Sequence, residues 1–379
     1  MSLMLYYLNA DPQGRRLEEV DIRRMAARLK LRAASRVIPM RGVFVEFVSG
    51  DNVYSTPNAV YFSDADLTDD LACRDYMRLR LLDGVKYALM ESDKEILLSN
   101  DLLGSVNLWY LANNGELILS SSLRLLVMMA GRYKPDREAF KWFLCNGQFC
   151  PGRSWSEEIM LLPGGHELRY HLKRRSVHID PVAAAEGAEG MEIDALESVI
   201  PKAVARVKPV PGMRLALSGG VDSRVILYEF VRCGLRLPCV TYGAPEYINQ
   251  PGYDCFIARE IARAVGADLQ ILEMRDTSRV MRADELHGRF VDYVAKFEGA
   301  ADDFRFHDDI IDKIHEAGTS ALLVGDEAFG WTFVASELQA RQMVGLNLFS
   351  DFRRSEPLYD QLADLMPHDL PPGLMKKAD

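Results

Sequence analysis

No Cys-x-x-Cys pair occurs anywhere in the 379 residues. The six cysteines, Cys73, Cys145, Cys150, Cys233, Cys239 and Cys255, are scattered, which argues against a sulfur-transfer role built on paired thiols. Reduced, buried thiols in a cytoplasmic protein are the expectation. Long apolar runs are also missing. Those such as Leu125–Ala130 fall far short of the roughly 20 residues that span a bilayer, so no membrane partner is expected. The N-terminus has neither the basic start nor the unbroken apolar core of a secretory signal. Basic charge is scarce: 45 Lys and Arg stand against 55 Asp and Glu, for a net charge of −10. With a pI near 5.3 the chain lacks the basic footprint of a general nucleic-acid binder, and no nucleic-acid partner is expected. An acidic chain that meets a phosphate ligand needs a cation between them, and magnesium would have to serve.

What is present suits an ordinary two-domain protein, with 48% hydrophobic and 26% charged residues. The stretch Pro181–Gly190 (PVAAAEGAEG) is small and poor in large apolar side chains, which places a domain boundary there, giving domains 1–185 and 186–379. Upstream, strand-like runs dominate: 42–48, 58–62, 86–90, 95–98 and 116–119, with helical patches at 17–29 and 137–144. That pattern predicts an α+β domain built on antiparallel sheets. Downstream, strands at 215–217, 237–242, 269–272 and 320–324 alternate with helices at 222–234, 253–265, 284–297 and 307–317. Alternation of this kind predicts an α/β domain with a parallel sheet covered on both faces, whose ligands bind at the carboxyl ends of the strands.

The most informative stretch is Ser218-Gly219-Gly220-Val221-Asp222-Ser223. It joins a strand to a helix through two glycines, the arrangement in which backbone and free helix N–H groups approach an anion. The Lys of a GxxxxGK[ST] loop is absent, so this is not a mononucleotide P-loop. Serine hydroxyls take over phosphate contacts, and Asp222 is placed to hold magnesium. A Gly-Gly turn capped by Asp and Ser is the plain alternative. A second signal, Gly325-Asp326-Glu327, follows the strand Leu322-Leu323-Val324 and offers paired hard-oxygen ligands for Mg²⁺. Alone it also reads as a solvated turn.

The Ser-Gly-Gly-x-Asp-Ser stretch resembles the pyrophosphate loop of the ATP pyrophosphatase (PP-loop) superfamily. Together with Gly325-Asp326-Glu327 it is similar to the asparagine synthetases and their relatives. Asp101-Leu102-Leu103-Gly104 leading to Leu108-Trp109-Tyr110, Ser121-Ser122-Leu123, and Leu162-Pro163-Gly164-Gly165-His166 look like segments of that family's glutaminase domain, in the family's order. The resemblance covers roughly residues 40–335. It implies an N-terminal-nucleophile (Ntn) hydrolase-like α+β domain followed by an adenylating domain. It also implies ATP and Mg²⁺ as cofactors, and a small-molecule or peptide carboxylate as substrate, with a homodimer left open. Carried over by position, Ser218, Gly219, Gly220 and Ser223 would hold pyrophosphate, and Thr241, Tyr242 and Gly243 would flank adenine or ribose through their backbone. Asp222 and Asp326 would bind the metal, with Glu327 beside them in the catalytic group.

Several features depart from that pattern. Ser2 stands where glutamine-hydrolysing relatives expose a cysteine, so glutamine-derived ammonia is not expected. The same loss occurs in β-lactam synthetases and lasso-peptide cyclases. Arg224 occupies a position that is usually small. Leu322-Leu323-Val324 replaces a glycine-containing turn, and only about fifty residues, 328–379, follow Glu327. A terminal Lys376-Lys377 pair reads as solvated surface, or as a substitute for the family's tail lysine. Glu298, Asp302 and Asp303 read either as substrate-side acids or as surface charge, and His166 as support for its own turn. Two functions remain open: an ATP-dependent amide-forming ligase, or a non-catalytic relative that binds ATP, an adenylate or a partner.

Overall fold

A computed structural model describes residues 3–9, 17–28, 36–47, 53–63, 75–82, 84–113, 115–136, 152–182, 193–207, 209–274, 282–289 and 304–325, with positions 67, 70 and 139. The chain falls into two compact units, the second of which spans residues 187–334.

The first unit contains twelve strands among its described residues. In chain order these are β1 (Met4–Asn9), β2 (Arg36–Pro39), β3 (Val43–Glu46), β4 (Val53–Thr56), β5 (Ala59–Ser63) and β6 (Val85–Glu91). They continue with β7 (Glu95–Asn100), β8 (Leu108–Asn113), β9 (Glu116–Ser120), β10 (Met160–Leu162), β11 (His166–His171) and β12 (Ser176–Pro181). Helices α1 (Glu19–Arg28), α2 (Tyr76–Leu79) and α3 (Leu123–Ala130) accompany them. Two antiparallel six-stranded sheets result, ordered β10-β8-β9-β1-β3-β2 and β12-β11-β7-β6-β5-β4. Period-two alternation sorts each strand between two cores. Met4, Tyr6 and Leu8 of β1 join Leu89, Leu98 and Leu168 between the sheets. Leu5 and Tyr7 pack instead with Ile22 and Met25 of α1 and Leu125 and Leu126 of α3. On the outer face of the second sheet, Tyr61, Ala88 and Leu97 meet Tyr76 and Leu79 of α2. The layers therefore run helix, sheet, sheet, helix.

Two polar devices tie this unit together. Glu91, 7% exposed, accepts from the Tyr6 hydroxyl at 2.6 Å, from the Gly42 N–H at 2.8 Å, and from the Arg41 N–H, linking β6 of one sheet to β1 and its neighbouring turn. Burial, and then the Glu91 charge, push the Tyr6 phenol well above its ordinary value. The second device joins segments that the sequence presents separately. Asp101 accepts from the Ser105 N–H at 2.7 Å, and the Gly165 N–H donates to the Asp101 carbonyl at 2.6 Å. A Cβ on Gly164 would lie 2.6 Å from the Gly104 nitrogen, so only glycine lets these two turns touch. His166 supports its turn through a 2.7 Å contact between Nδ1 and the Gly164 carbonyl. Ser122 caps α3 by accepting from the Leu125 N–H at 3.3 Å, and Gly131 ends that helix in the left-handed region.

The second unit begins with α4 (Ile193–Arg206), which carries Pro201. It then alternates β13 (Met213–Ala216), α5 (Val221–Arg232), β14 (Cys239–Gly243), α6 (Asp254–Val265) and β15 (Leu269–Glu273). A helical stretch at 283–289, α7 (Phe304–Glu316) and β16 (Ala321–Leu323) complete it. The sheet is parallel throughout, ordered β15-β14-β13-β16. Leu215, Leu217, Leu227, Phe230, Cys239, Ala258 and Ala262 form its core. Helix α6 stops at Gly266, left-handed at φ 66°, while α5 ends at Cys233, one residue ahead of Gly234 at φ 72°. Apart from position 139, the expected helix at 137–144 lies outside the described residues, as does the later part of the one at 284–297. The cysteine reading needs one correction: Cys239 and Cys255 are buried, but Cys233 at the end of α5 is exposed.

Candidate nucleotide site

Strand order fixes where a ligand can approach the parallel sheet. The chain passes from β13 to β14 and β15 on one side, then crosses back to place β16 on the other. The carboxyl ends of β13 and β16 therefore flank the point where the direction of winding reverses, the place where open α/β sheets bind ligands. The loop 218–220 leaves β13 at that point. Gly325 comes after β16 there, and an ideal Cβ on it would lie 2.7 Å from the Ser223 nitrogen and 2.8 Å from the Asp222 carbonyl carbon. The turn that carries Gly325 thus rests on the first turn of α5. Asp326 and Glu327 come next in sequence and lie outside the described residues, as do Ser2, Glu298, Asp302, Asp303, Lys376 and Lys377.

The loop itself is closed by its own serines. Ser223, only 2% exposed, accepts from the Ser218 N–H at 3.1 Å, and its hydroxyl lies 3.1 Å from that of Ser218. The Ser218 hydroxyl in turn accepts from the Gly220 N–H at 3.1 Å. Gly219 donates its N–H to Oδ1 of Asp254 at 3.0 Å. Gly220 is the N-cap of α5, extended at φ −71° and ψ 164°, with no side-chain capping bond. The helix dipole and the first-turn N–H groups, which have no intrahelical carbonyl to reach, therefore open at the loop. Asp222 is half-buried in that first turn. Arg224 is exposed and folds back, its Nε donating to the Gly220 carbonyl at 3.0 Å.

Asp254 carries no signal in the sequence, because a lone Asp at a helix start reads as local capping. It reaches the loop from the next strand–helix unit. Helix α6 is held in place beneath it: Cys255 is 3% exposed, and Thr241 Oγ1 donates to its sulfur at 3.8 Å. Burial pushes the Cys255 thiol up. A Cβ on Gly243 would lie 2.8 Å from that sulfur, so α6 packs closely on β14 there. Thr241 is buried and packs on α6, and the Gly243 carbonyl accepts from the Met274 N–H at 2.9 Å. Tyr253, just before α6, stacks on Tyr247 with ring centroids 4.7 Å apart.

Among the described residues, no three His, Cys, Asp or Glu side chains converge as a metal cluster. Magnesium is commonly bound through one or two carboxylates plus substrate phosphates, so the half-buried Asp222 fits that role. The first unit holds a separate cavity of about 470 Å³, lined in part by Arg80, Lys86, Asp101 and Ser105. Its cations already have partners: Arg80 pairs with Glu167 at 3.3 Å and Lys86 with Asp101 at 3.9 Å.

No protein-family profile matches the chain, and no curated protein matches it. Solved structures give loose likenesses only. Glutamine phosphoribosylpyrophosphate amidotransferase from B. subtilis, complexed with ADP and GMP, aligns with 86% of this chain and 91% of its own at 8% identity, with a TM-score of 0.28. A predicted subunit of tRNA methyltransferase from Methanocaldococcus jannaschii aligns with 35% of this chain at 16% identity, with a TM-score of 0.17, and the match spans 63% of that protein's length. A 4-thiouridine synthetase in complex with RNA and ATP aligns with 99% of this chain and 97% of its own at 14% identity, with a TM-score of 0.16. Superposition this loose carries no functional weight, so the function must be read from the loop and its surroundings.

Proposed function

We propose that the chain is an ATP-dependent ligase that activates a carboxylate by adenylation and forms an amide, without hydrolysing glutamine. One observation carries the reading: the Ser218–Ser223 loop opens the dipole of α5 where the sheet reverses its winding, with the Gly325 turn against the same helix end. In the reaction a carboxylate oxygen attacks the α-phosphorus of ATP and pyrophosphate leaves. An amine then attacks the acyl carbon and AMP leaves. Negative charge accumulates on the departing pyrophosphate, so fixed dipoles aimed at it lower the barrier. The first-turn N–H groups of α5 would face it, and Asp222 would hold a magnesium ion that neutralises phosphate charge when bound. Asp326 and Glu327, next after Gly325, would complete the acidic side. The backbone of Thr241, Tyr242 and Gly243 would border the nucleoside. The first unit, in this reading an Ntn-like domain, takes no part in supplying ammonia.

The alternative, a non-catalytic ATP or adenylate binder, draws support from one feature: the Gly219 N–H is already held by Asp254. Release of AMP and pyrophosphate from ATP, measured across a panel of small-molecule and peptide carboxylates with an amine present, separates the two. Carboxylate-dependent AMP formation supports the ligase. ATP binding without turnover on any acid favours the binder, and failure to bind Mg-ATP removes both.

A further inference from the structure

A glycine-rich loop holds an anion through backbone donors, so each donor near it must be accounted for. Three are committed within the protein: the N–H of Ser218 to Ser223, that of Gly219 to Asp254, and that of Gly220 to Ser218. Two carboxylates, Asp222 and Asp254, also lie at the loop. The opening of α5 supplies only about half a positive charge. A pyrophosphate group there needs more than the loop backbone provides. Among the described residues, Arg224 is the one cation hydrogen-bonded to the loop.

Its placement comes from helix geometry. Helical side chains lean toward the N-terminus, so a long side chain one turn into α5 carries its head back over the helix start. The Nε of Arg224 is spent on the Gly220 carbonyl at 3.0 Å, which orients the planar guanidinium against the loop. Its two Nη groups can then offer the forked donor pair that matches phosphate oxygens. Lysine would supply charge without the fork or the anchoring bond.

We propose that Arg224 is a phosphate ligand of this site, binding the pyrophosphate portion of ATP and taking the part that lysine plays in a mononucleotide P-loop. The assignment rests on reading this loop as a nucleotide site. The test is calorimetric titration of the full chain with inorganic pyrophosphate, ATP and AMP, each with Mg²⁺, for wild type, Arg224→Ala and Arg224→Lys. Loss of two charge-assisted bonds should weaken pyrophosphate and ATP by about a hundredfold or more in Arg224→Ala. Arg224→Lys should recover part of that loss, and AMP, which lacks the two outer phosphates, should bind all three proteins alike. Because the side chain is exposed, both variants should melt with wild type. Wild-type pyrophosphate affinity in Arg224→Ala overturns the assignment while leaving the nucleotide site standing. An equal loss for AMP also overturns it, since that marks general damage to the loop. A wild-type protein that binds none of the three ligands removes the site reading itself, and the role of Arg224 with it.

Discussion

Replacing Gly325 by alanine tests whether the turn after β16 is seated on α5 as the geometry requires. The added Cβ would lie 2.7 Å from the Ser223 nitrogen, 2.8 Å from the Asp222 carbonyl carbon and 3.0 Å from the Ser223 Cα. All three are backbone atoms, so no rotamer change relieves the contact. Either the turn or the first turn of α5 must move. Overpacking of this kind costs about 1–3 kcal/mol. In a unit spanning residues 187–334, each kcal/mol lowers the melting temperature by about 2–4 °C. The same shift disturbs the helix end proposed to meet phosphate, so affinity for Mg-pyrophosphate should fall together with stability. Gly288→Ala is the internal control. That position is helical and has nothing within 4 Å of an added Cβ, so alanine there should stabilise by about 0.5–1 kcal/mol. Thermal melting by circular dichroism, paired with pyrophosphate titration, reads both variants. If Gly325→Ala melts and binds like wild type, the turn does not rest on α5 and the shared site at β13 and β16 is wrong.

The parallel sheet is legible in the sequence because its strands are short apolar runs separated by helices with glycine stops. Gly266, left-handed at the end of α6, is such a stop and falls at the expected residue. Much of the first unit is harder to read. Strand β1 lies near the middle of its sheet, yet Met4–Asn9 is buried almost throughout and shows no polar alternation. The hairpin of β11 and β12 is hidden because its turn lacks a glycine signal. Arg175 takes the left-handed conformation at φ 52° there, in a charged run that reads as surface. Helix α4 is masked by Pro201, a residue that ordinarily argues against a helix interior. At the candidate site the loop is visible as a motif, but its internal hydrogen bonding is not. Nothing in Ser-Gly-Gly announces that the glycine N–H will meet a carboxylate 35 residues later, at Asp254. Contacts of that kind arise from packing one strand–helix unit on the next, and a single chain read locally cannot show them.

Asp222→Asn keeps the size of the side chain but removes its charge, so pyrophosphate release should be lost while the melting temperature holds; wild-type turnover would exclude Asp222 as a metal ligand. Glu91→Ala strands the Tyr6 hydroxyl and the Gly42 N–H in a buried place, at about 1–3 kcal/mol each, and should lower the melting temperature by several degrees. An unchanged melt would mean that this carboxylate does not join the two sheets. The thiols give the last prediction. Cys233 is exposed and should react readily with iodoacetamide in the native protein, whereas Cys239 and Cys255 should react only after unfolding, as peptide mapping can show. Burial first, and then the Asp268 charge, push the Cys239 thiol from its ordinary value of 9.0 to about 11. Between those two values the unfolded chain gives up this proton and the folded chain keeps it. The stabilisation is therefore fully present below pH 9 and drains away as pH climbs toward 11, at a rate of up to about 1.4 kcal/mol per pH unit. Tyrosines and lysines titrate in the same range, so the informative quantity is the difference between wild type and Cys239→Ala. The variant starts less stable because it leaves a cavity under β14, yet its urea-unfolding free energy should fall less steeply from pH 9 to 11. Parallel slopes for the two proteins would show that the Cys239 thiol ionises as freely in the folded state as in the unfolded one.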